Sequence, residues 1–307
     1  MRIKEYSNVI DRANMSPDQA ARQHPEDMVT RSLDKEWSNL HEARKVLKLL
    51  KEKIPGAPSI KCFVKEKEVD GVMQELKSRM VAPGDRLPVD IDVNISAPTV
   101  SKEALFAMLA SNLRFKGEIY TYDVPTAFVH APLLEEVNVK VPKKLVDRLV
   151  KSFPNLKEYI QDDGCIYTQV LKSLYGLPQA GRNWYLLFCG ILSRSLGMTK
   201  SRVEGCNFSK VNKKLNMNTF VQFHVDDNIM ESNDKVFADK VMEKMHELFG
   251  GARIWKSKEF DFLQMHITRQ DDYSITVDNA VYVMDIVDRR YSENMAKEFS
   301  KHRGCIT

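Results

Sequence analysis

The sequence predicts an α+β fold in which antiparallel sheets are flanked by helices. Three observations carry this. Amphipathic stretches, such as residues 234–249 with Phe237, Val241, Met245 and Leu248 on one stripe, alternate with short β-prone runs. Those runs pair across turn signals, as at Val69-Asp70-Gly71 and around Asp226-Asp227. The strand-helix-strand rhythm of a parallel sheet is absent.

Taken in order, residues 1 to about 30 read as a loose polar leader. A helix is expected over residues 32–53, on the spacing of Trp37, Leu40, Val46, Leu47 and Leu50, and Ile54-Pro55-Gly56-Ala57-Pro58 stops it. Residues 59–67 and 72–81 form a hairpin with Asp70-Gly71 in the turn. Ser101 caps a helix to about 112, carrying Ala104, Leu105, Met108 and Leu109. A strand over 118–124 and a strand pair at 137–141 and 166–171 follow. Pro178 opens a helix with Trp184, Leu187, Phe188, Ile191 and Leu192 on one face, and Gly197 lies past its end. A hairpin occupies about 218–231, then comes the helix 234–249, closed by Gly250-Gly251. Short strands at 260–268 and 274–277 complete the core.

The 307 residues suffice for one large or two ordinary domains, and 43% hydrophobic with 29% charged residues is ordinary for a globular chain. No apolar run reaches the about 18 residues that span a bilayer, so no membrane is expected. The opening Met1-Arg-Ile-Lys-Glu-Tyr lacks the apolar core of a secretory signal. Five cysteines, at 62, 165, 189, 206 and 305, show no Cys-x-x-Cys spacing and argue for a reducing compartment. A net charge of +4 is compatible with a polyanionic partner without demanding one.

The chemistry concentrates in Thr219-Phe-Val-Gln-Phe-His-Val-Asp-Asp-Asn-Ile-Met230, where two adjacent carboxylates interrupt an apolar hairpin. Packed carboxylates repel and resist desolvation unless a cation takes up their charge, so Asp226 and Asp227 are candidate metal ligands. Asp162-Asp163 and Asp271-Asp272 lie among polar residues and read as solvated turns. Asp123 ends a strand just before Pro125 and is either a turn cap or a third carboxylate of the same site. Three such groups suit two-metal phosphoryl transfer, in which ions about 4 Å apart clamp the attacking and leaving oxygens. Hard cations require oxygen ligands. Gly176, Pro178 and Gly181 make an irregular helix start, with Gln179 and Arg182 as donors. Lys77 and Arg79 stand opposite Lys65 and Lys67 on the first hairpin, either as a solvated face or as a grip on a triphosphate.

In chain order these strings are Lys77-Ser-Arg-Met-Val-Ala82, Asp123-Val-Pro-Thr-Ala-Phe-Val129, Leu174-Tyr-Gly-Leu-Pro-Gln-Ala-Gly-Arg-Asn-Trp-Tyr185 and His224-Val-Asp-Asp227, with Ser96-Ala-Pro-Thr-Val100 before a helix. Their order resembles the reverse transcriptase domain of copia-type LTR retrotransposon Pol polyproteins, over about residues 33–290. The resemblance implies a right-hand polymerase fold: fingers and the start of the palm at 31–120, palm at 121–290 with a fingers insertion at about 135–180, and a truncated thumb start or tail at 291–307, with thumb and RNase H largely absent. It implies RNA-directed DNA polymerase activity, in which a primer 3′-hydroxyl attacks the α-phosphate of a dNTP. Asp123, Asp226 and Asp227, with the carbonyl of Val124, match the ligands of two Mg²⁺ ions, for which Mn²⁺ can substitute. Lys65 or Lys67 with Arg79 would hold the triphosphate. Ala127 and Phe128 would lie at the sugar, where the Phe128 ring leaves no room for a 2′-hydroxyl. Gln179 would contact the nucleotide near its 3′-hydroxyl. His224, Val225, Leu263 and Gln264 match the primer side.

Three positions depart from the family's strings. His224 replaces a Tyr, Pro178 a Lys, and Gln264 the Gly of a Leu-Gly-Ile string, here Phe262-Leu-Gln-Met265. The implied partners are an RNA or DNA template-primer, dNTPs and other domains of a Pol polyprotein such as RNase H and integrase. The implied location is cytoplasmic, in a virus-like particle, or nuclear. Two other readings are a catalytically inactive remnant that folds and binds nucleic acid, and another palm-type nucleotidyltransferase. The last explains the Asp residues but not the Tyr-Gly-Leu-x-Gln string.

Overall fold

The computed structural model describes residues 14–69, 72–87, 95–250, 253–280 and 283. The chain opens with helices α1 (Pro17–Gln23) and α2 (Glu26–Ser38), then strands β1 (Leu47–Leu50), β2 (Lys61–Val69) and β3 (Val72–Val81). Next come α3 (Lys102–Phe115), β4 (Glu118–Asp123), β5 (Pro132–Val141), α4 (Lys143–Ser152), β6 (Ile166–Lys172) and α5 (Ala180–Gly190). The remainder is β7 (Thr199–Lys200), β8 (Asn207–Asn212), β9 (Met217–His224), β10 (Asp227–Ser232), α6 (Lys235–Phe249), β11 (Arg253–Lys256), β12 (Glu259–Phe262), β13 (Met265–Arg269) and β14 (Ile275–Asp278). The class is α+β with antiparallel sheets, as the pattern predicts.

Two compact units interleave along the chain, one from residues 1–97 and 126–188, the other from 98–125 and 189–307. Helix α3 packs on the sheet that contains β4 and belongs with it to the second unit. Residues 1–13, the Asp70-Gly71 turn and the expected thumb start or tail at 291–307 lie outside the described residues.

In the first unit, β1, β6 and β5 form one antiparallel sheet in that order, and β2 and β3 form a separate ribbon. The expected strand pair at 137–141 and 166–171 is present, with Val137 opposite Val170. Its core gathers Leu33 and Trp37 from α2, Val64 and Met80 from the ribbon, Val139, Leu149 and Val170. The expected loose leader is corrected here, since residues 17–23 and 26–30 within it are helical. Ser16 and Gln19 form a reciprocal cap over α1, and Ala20 and Val29 are fully buried. The expected helix at 32–53 is also corrected. It starts earlier and widens into a π turn at Asn39–Ala43; left-handed Lys45 (φ 52°) then frees Leu47–Leu50 to pair with β6. Helix α4, with Leu145, Val146 and Leu149 buried, was not anticipated.

The second unit is built on a six-stranded sheet in the order β11-β4-β10-β9-β8-β7, beside the small sheet β12-β13-β14. Ser101 caps α3 by accepting the Ala104 N–H, and Asp234 caps α6 by accepting that of Phe237. Helix α3 is pinned to the sheet by polar contacts as well as by Leu105 and Met108. Gln222 donates to the Ala104 carbonyl at 2.7 Å, and buried Glu231 accepts from Ser111 and Asn112. A Cβ on Gly117 would sit 2.9 Å from the Glu231 carboxylate and 2.8 Å from the Ser232 carbonyl carbon, so only glycine fits between α3 and β10.

Candidate functional site

Strands β9 and β10 bury most of their residues, polar as well as apolar, on both faces, which fixes the register of their pairing. His224 pairs with Asp227, leaving a two-residue loop of Val225 and Asp226. Of the two carboxylates only Asp226 lies in the turn, while Asp227 opens β10. Val225 has φ 58°, a conformation that suits glycine and strains a β-branched residue by about 1–3 kcal/mol. Strand β10 also pairs with β4, which sets Asp227 opposite Asp123, and β11 sets Arg253 on the other flank of Asp123. His224, Asp227, Asp123 and Arg253 therefore form one row across four strands. The Val124 N–H donates to the Asp226 carbonyl at 3.1 Å. Asn228, 2% exposed, donates through Nδ2 to the carbonyls of Tyr122 at 3.0 Å and Asp226 at 2.6 Å.

Asp123, Val124, His224, Val225, Asp226 and Asp227 are thereby assembled at one end of one sheet. Water reaches Asp227, yet surrounding protein atoms still hold its pKa above the ordinary carboxylate value. Asp226 and then Asp123 push it further in that direction, and His224 opposes them. A carboxylate crowded by two others is the electrostatic setting that a divalent cation relieves, and an all-oxygen set suits a hard ion. Among the described residues, no three His, Cys, Asp or Glu side chains converge into a closed ligand set. The carboxylates are neighbours along a row rather than a finished cage.

The first unit gathers a second set of residues. Across the β2-β3 ribbon, Phe63 faces Arg79 and Lys65 faces Lys77. Lys65, Arg79, Phe63, Val81, Tyr175 and Asn14 line a cavity of about 300 Å³. The Arg79 guanidinium lies 3.4 Å from Glu36 and 5.4 Å from the centre of the Tyr175 ring. Tyr175 in turn packs on Phe128 at 5.7 Å. Lys65 rather than Lys67 lines the cavity, and Lys67 pairs with Glu75 at 3.6 Å.

The Tyr175-Gly176 turn is held by a backbone clasp. Tyr175 accepts the Ala82 N–H at 2.7 Å, and a Cβ on Gly176 (φ 89°) would meet the Ala82 carbonyl at 2.1 Å. The glycine of this string is thus required by close backbone approach. Left-handed Thr126 (φ 57°) starts a 3₁₀ turn in which Ala127 is buried and Phe128 half-buried. Gln179 is half-buried beside the first turn of α5, and its carbonyl accepts the Asn183 N–H.

Leu263 and Gln264 form the two-residue loop between β12 and β13, with φ 52° and 63°. The preference for glycine in this string follows from that left-handed loop, which Leu and Gln adopt under strain.

Seven residues of these sets were not anticipated as contributors: Asn14, Glu36, Phe63, Val81, Tyr175, Asn228 and Arg253. Glu36 carried a signal, being an acid on the apolar stripe of Leu33, Trp37 and Leu40. Asn228 also carried one, as a polar residue inside an apolar strand. Asn14 carried none.

Residues 44–300 match the family described as reverse transcriptase (RNA-dependent DNA polymerase). The truncated transposon Ty1-A Gag-Pol polyprotein of Saccharomyces cerevisiae is 30% identical over 175 residues, which are 56% of this chain and 12% of that one. The retrovirus-related Pol polyprotein from transposon TNT 1-94 of Nicotiana tabacum is 26% identical over 235 residues, covering 74% and 16%. The chain therefore spans only a small part of these relatives' length. Among solved structures, telomerase from Candida albicans, in complex with a fragment of telomeric RNA, aligns at a TM-score of 0.41 and 12% identity, covering 82% of this chain and 51% of that one.

Proposed function

This chain belongs to the reverse transcriptase (RNA-dependent DNA polymerase) family, of the kind found in copia-type retrotransposon Pol polyproteins, and from that premise we propose that it extends a primer on an RNA template with dNTPs. The observation that carries the proposal is the register that sets Asp227 opposite Asp123, with the Asp226 turn tied to Val124. The pairing of β10 with β4 brings together carboxylates from distant parts of the sequence.

Asp123, Asp226, Asp227 and the Val124 carbonyl would hold a pair of divalent ions, Mg²⁺ or Mn²⁺. When bound, such ions polarise phosphoryl oxygens and stabilise the charge that develops on the attacking and leaving oxygens. Lys65 and Arg79 bind the triphosphate, Arg79 as a planar fork held in place by Glu36 and the Tyr175 ring. Phe128, packed on that same ring, stands at the sugar and excludes a 2′-hydroxyl. Gln179 contacts the nucleotide near its 3′-hydroxyl, and His224, Val225, Leu263 and Gln264 act on the primer side. The test is incorporation of labelled dNTP on an RNA template by the whole chain. Incorporation supports the reading, whereas a folded protein that binds template-primer without extending it supports an inactive, nucleic-acid-binding remnant.

A further inference from the structure

Arg44 follows the π turn at the end of α2 and lies half-buried in the first unit. Its side chain is fixed by Asn39 and His130. Nε donates to Asn39 Oδ1 at 2.9 Å, and Nη1 donates to His130 Nε2 at 2.7 Å. Nη2 has no hydrogen-bond partner among the described residues and is not among the fully buried polar atoms, so that edge of the guanidinium is not sealed from solvent. No carboxylate lies within ion-pair distance of Arg44 among the described residues. Glu42, two positions upstream, makes no ion pair with it.

Lys172 belongs to the same corner. The next residue on one side, Leu171, donates to the Val46 carbonyl, and the next on the other, Ser173, donates to the Ala131 carbonyl. Lys172 is thereby placed between the strand that follows Arg44 and the turn that carries His130, with Pro132 opposite it on β5. Lys172 is half-buried, and its ammonium has no carboxylate or hydrogen-bond partner among the described residues. Burial lowers the pKa of Lys172, and Arg44 lowers it further.

Two partly desolvated cations at one corner, with no carboxylate partner among the described residues and with the Arg44 side chain anchored by Asn39 and His130, call for an anion from outside. Arg supplies a planar fork and Lys a point charge, the pairing that grips phosphate oxygens. We propose that Arg44 and Lys172 bind one backbone phosphodiester of a nucleic-acid strand, positioning it by a contact that reads no base. The proposal rests on the polymerase reading above, yet its test needs no catalysis.

The test is binding of a labelled RNA-DNA template-primer to the whole chain across a salt series, comparing wild type with Lys172→Gln, Arg44→Gln and Arg44→Lys. Because the Lys172 ammonium holds no fold contact, Lys172→Gln reports on binding without risk to folding, and thermal melting verifies this. Each neutralising variant is expected to weaken binding by about 3- to 10-fold near 0.1 M salt and to lower the salt slope by about one. Arg44→Lys, which keeps the charge and loses the fork, should fall between. In parallel, the affinity for a free fluorescent dNTP should not change. Unchanged affinity and slope in folded Lys172→Gln and Arg44→Gln would overturn the proposal. So would a loss confined to free dNTP, which would make this a nucleotide site. Failure of primer extension alongside an intact effect on template-primer binding would count against catalysis and leave this site standing.

Discussion

The Val124 N–H donates to the Asp226 carbonyl at 3.1 Å, which ties the residue after the first carboxylate to the turn that carries the second. The same Asp226 carbonyl accepts from buried Asn228 at 2.6 Å. Two donors thus fix one peptide group of a strained turn, and a turn with Val225 at φ 58° persists only where its surroundings over-determine it.

Asn228→Ala removes one of these donors and frees the Tyr122 carbonyl as well. It is expected to cost about 1–3 kcal/mol of stability, from the two lost hydrogen bonds and the acceptors left buried. If the turn positions Asp226 for chemistry, kcat falls with little change in the KM for dNTP. Denaturant melts and steady-state kinetics check both. Unchanged kcat in a destabilised variant would make Asn228 a purely structural residue.

Phe128 packs on Tyr175, which lies under Arg79. Phe128→Val keeps a smaller apolar contact with the ring and opens space at the sugar. The ratio of dNTP to rNTP incorporation is expected to fall by about 10- to 100-fold, the range that a modest change in pocket shape achieves. An unaltered ratio would remove Phe128 from sugar selection.

The loop Leu263-Gln264 places two non-glycine residues in the left-handed region. Replacing the pair with Asn-Gly, the favoured dipeptide for such a turn, is expected to stabilise the chain by about 1–2 kcal/mol. A chemical denaturation midpoint that does not rise would show that Leu263 or Gln264 makes contacts worth more than the backbone strain.

Glu36 is 5% exposed, and burial raises its carboxyl pKa despite the nearby Arg79 and the bond from the Met80 N–H. A folded-state value above the unfolded 4.5 means that Glu36 favours folding most at low pH. That contribution is lost as pH rises from the unfolded value through the raised folded one. Glu36→Gln, which keeps an acceptor for Met80, should match wild-type stability near pH 4 and exceed it increasingly toward neutrality. Melting curves across this range check the sign, and a constant difference would contradict it.

Much of the second unit was legible because its signals are local. The apolar runs flanking Asp226-Asp227 and the strand before Asp123 could pair in only one register without exposing their apolar faces. What was missed has a physical cause in each case. Residues 14–30 hold few large apolar side chains, so α1 and α2 read as a leader even though Ser16 and Gln19 already spelled a capping box. Leu47–Leu50 is an apolar run too short to distinguish helix from strand, and left-handed Lys45, which makes it a strand, leaves no mark in the sequence. The pairing of Glu36 with Arg79 joins residues far apart in sequence, and only the packing of α2 on the ribbon brings them together.

The most direct test of the central claim is single-turnover primer extension on an RNA template with dNTPs and Mg²⁺ or Mn²⁺, comparing wild type with Asp226→Asn. The exchange removes one charge from a crowded, exposed turn, so the variant should fold and melt at or above the wild-type temperature. The assignment of Asp123, Asp226 and Asp227 as metal ligands predicts extension by wild type and a loss of about 1,000-fold or more in the variant. Equal extension by the two proteins would contradict it.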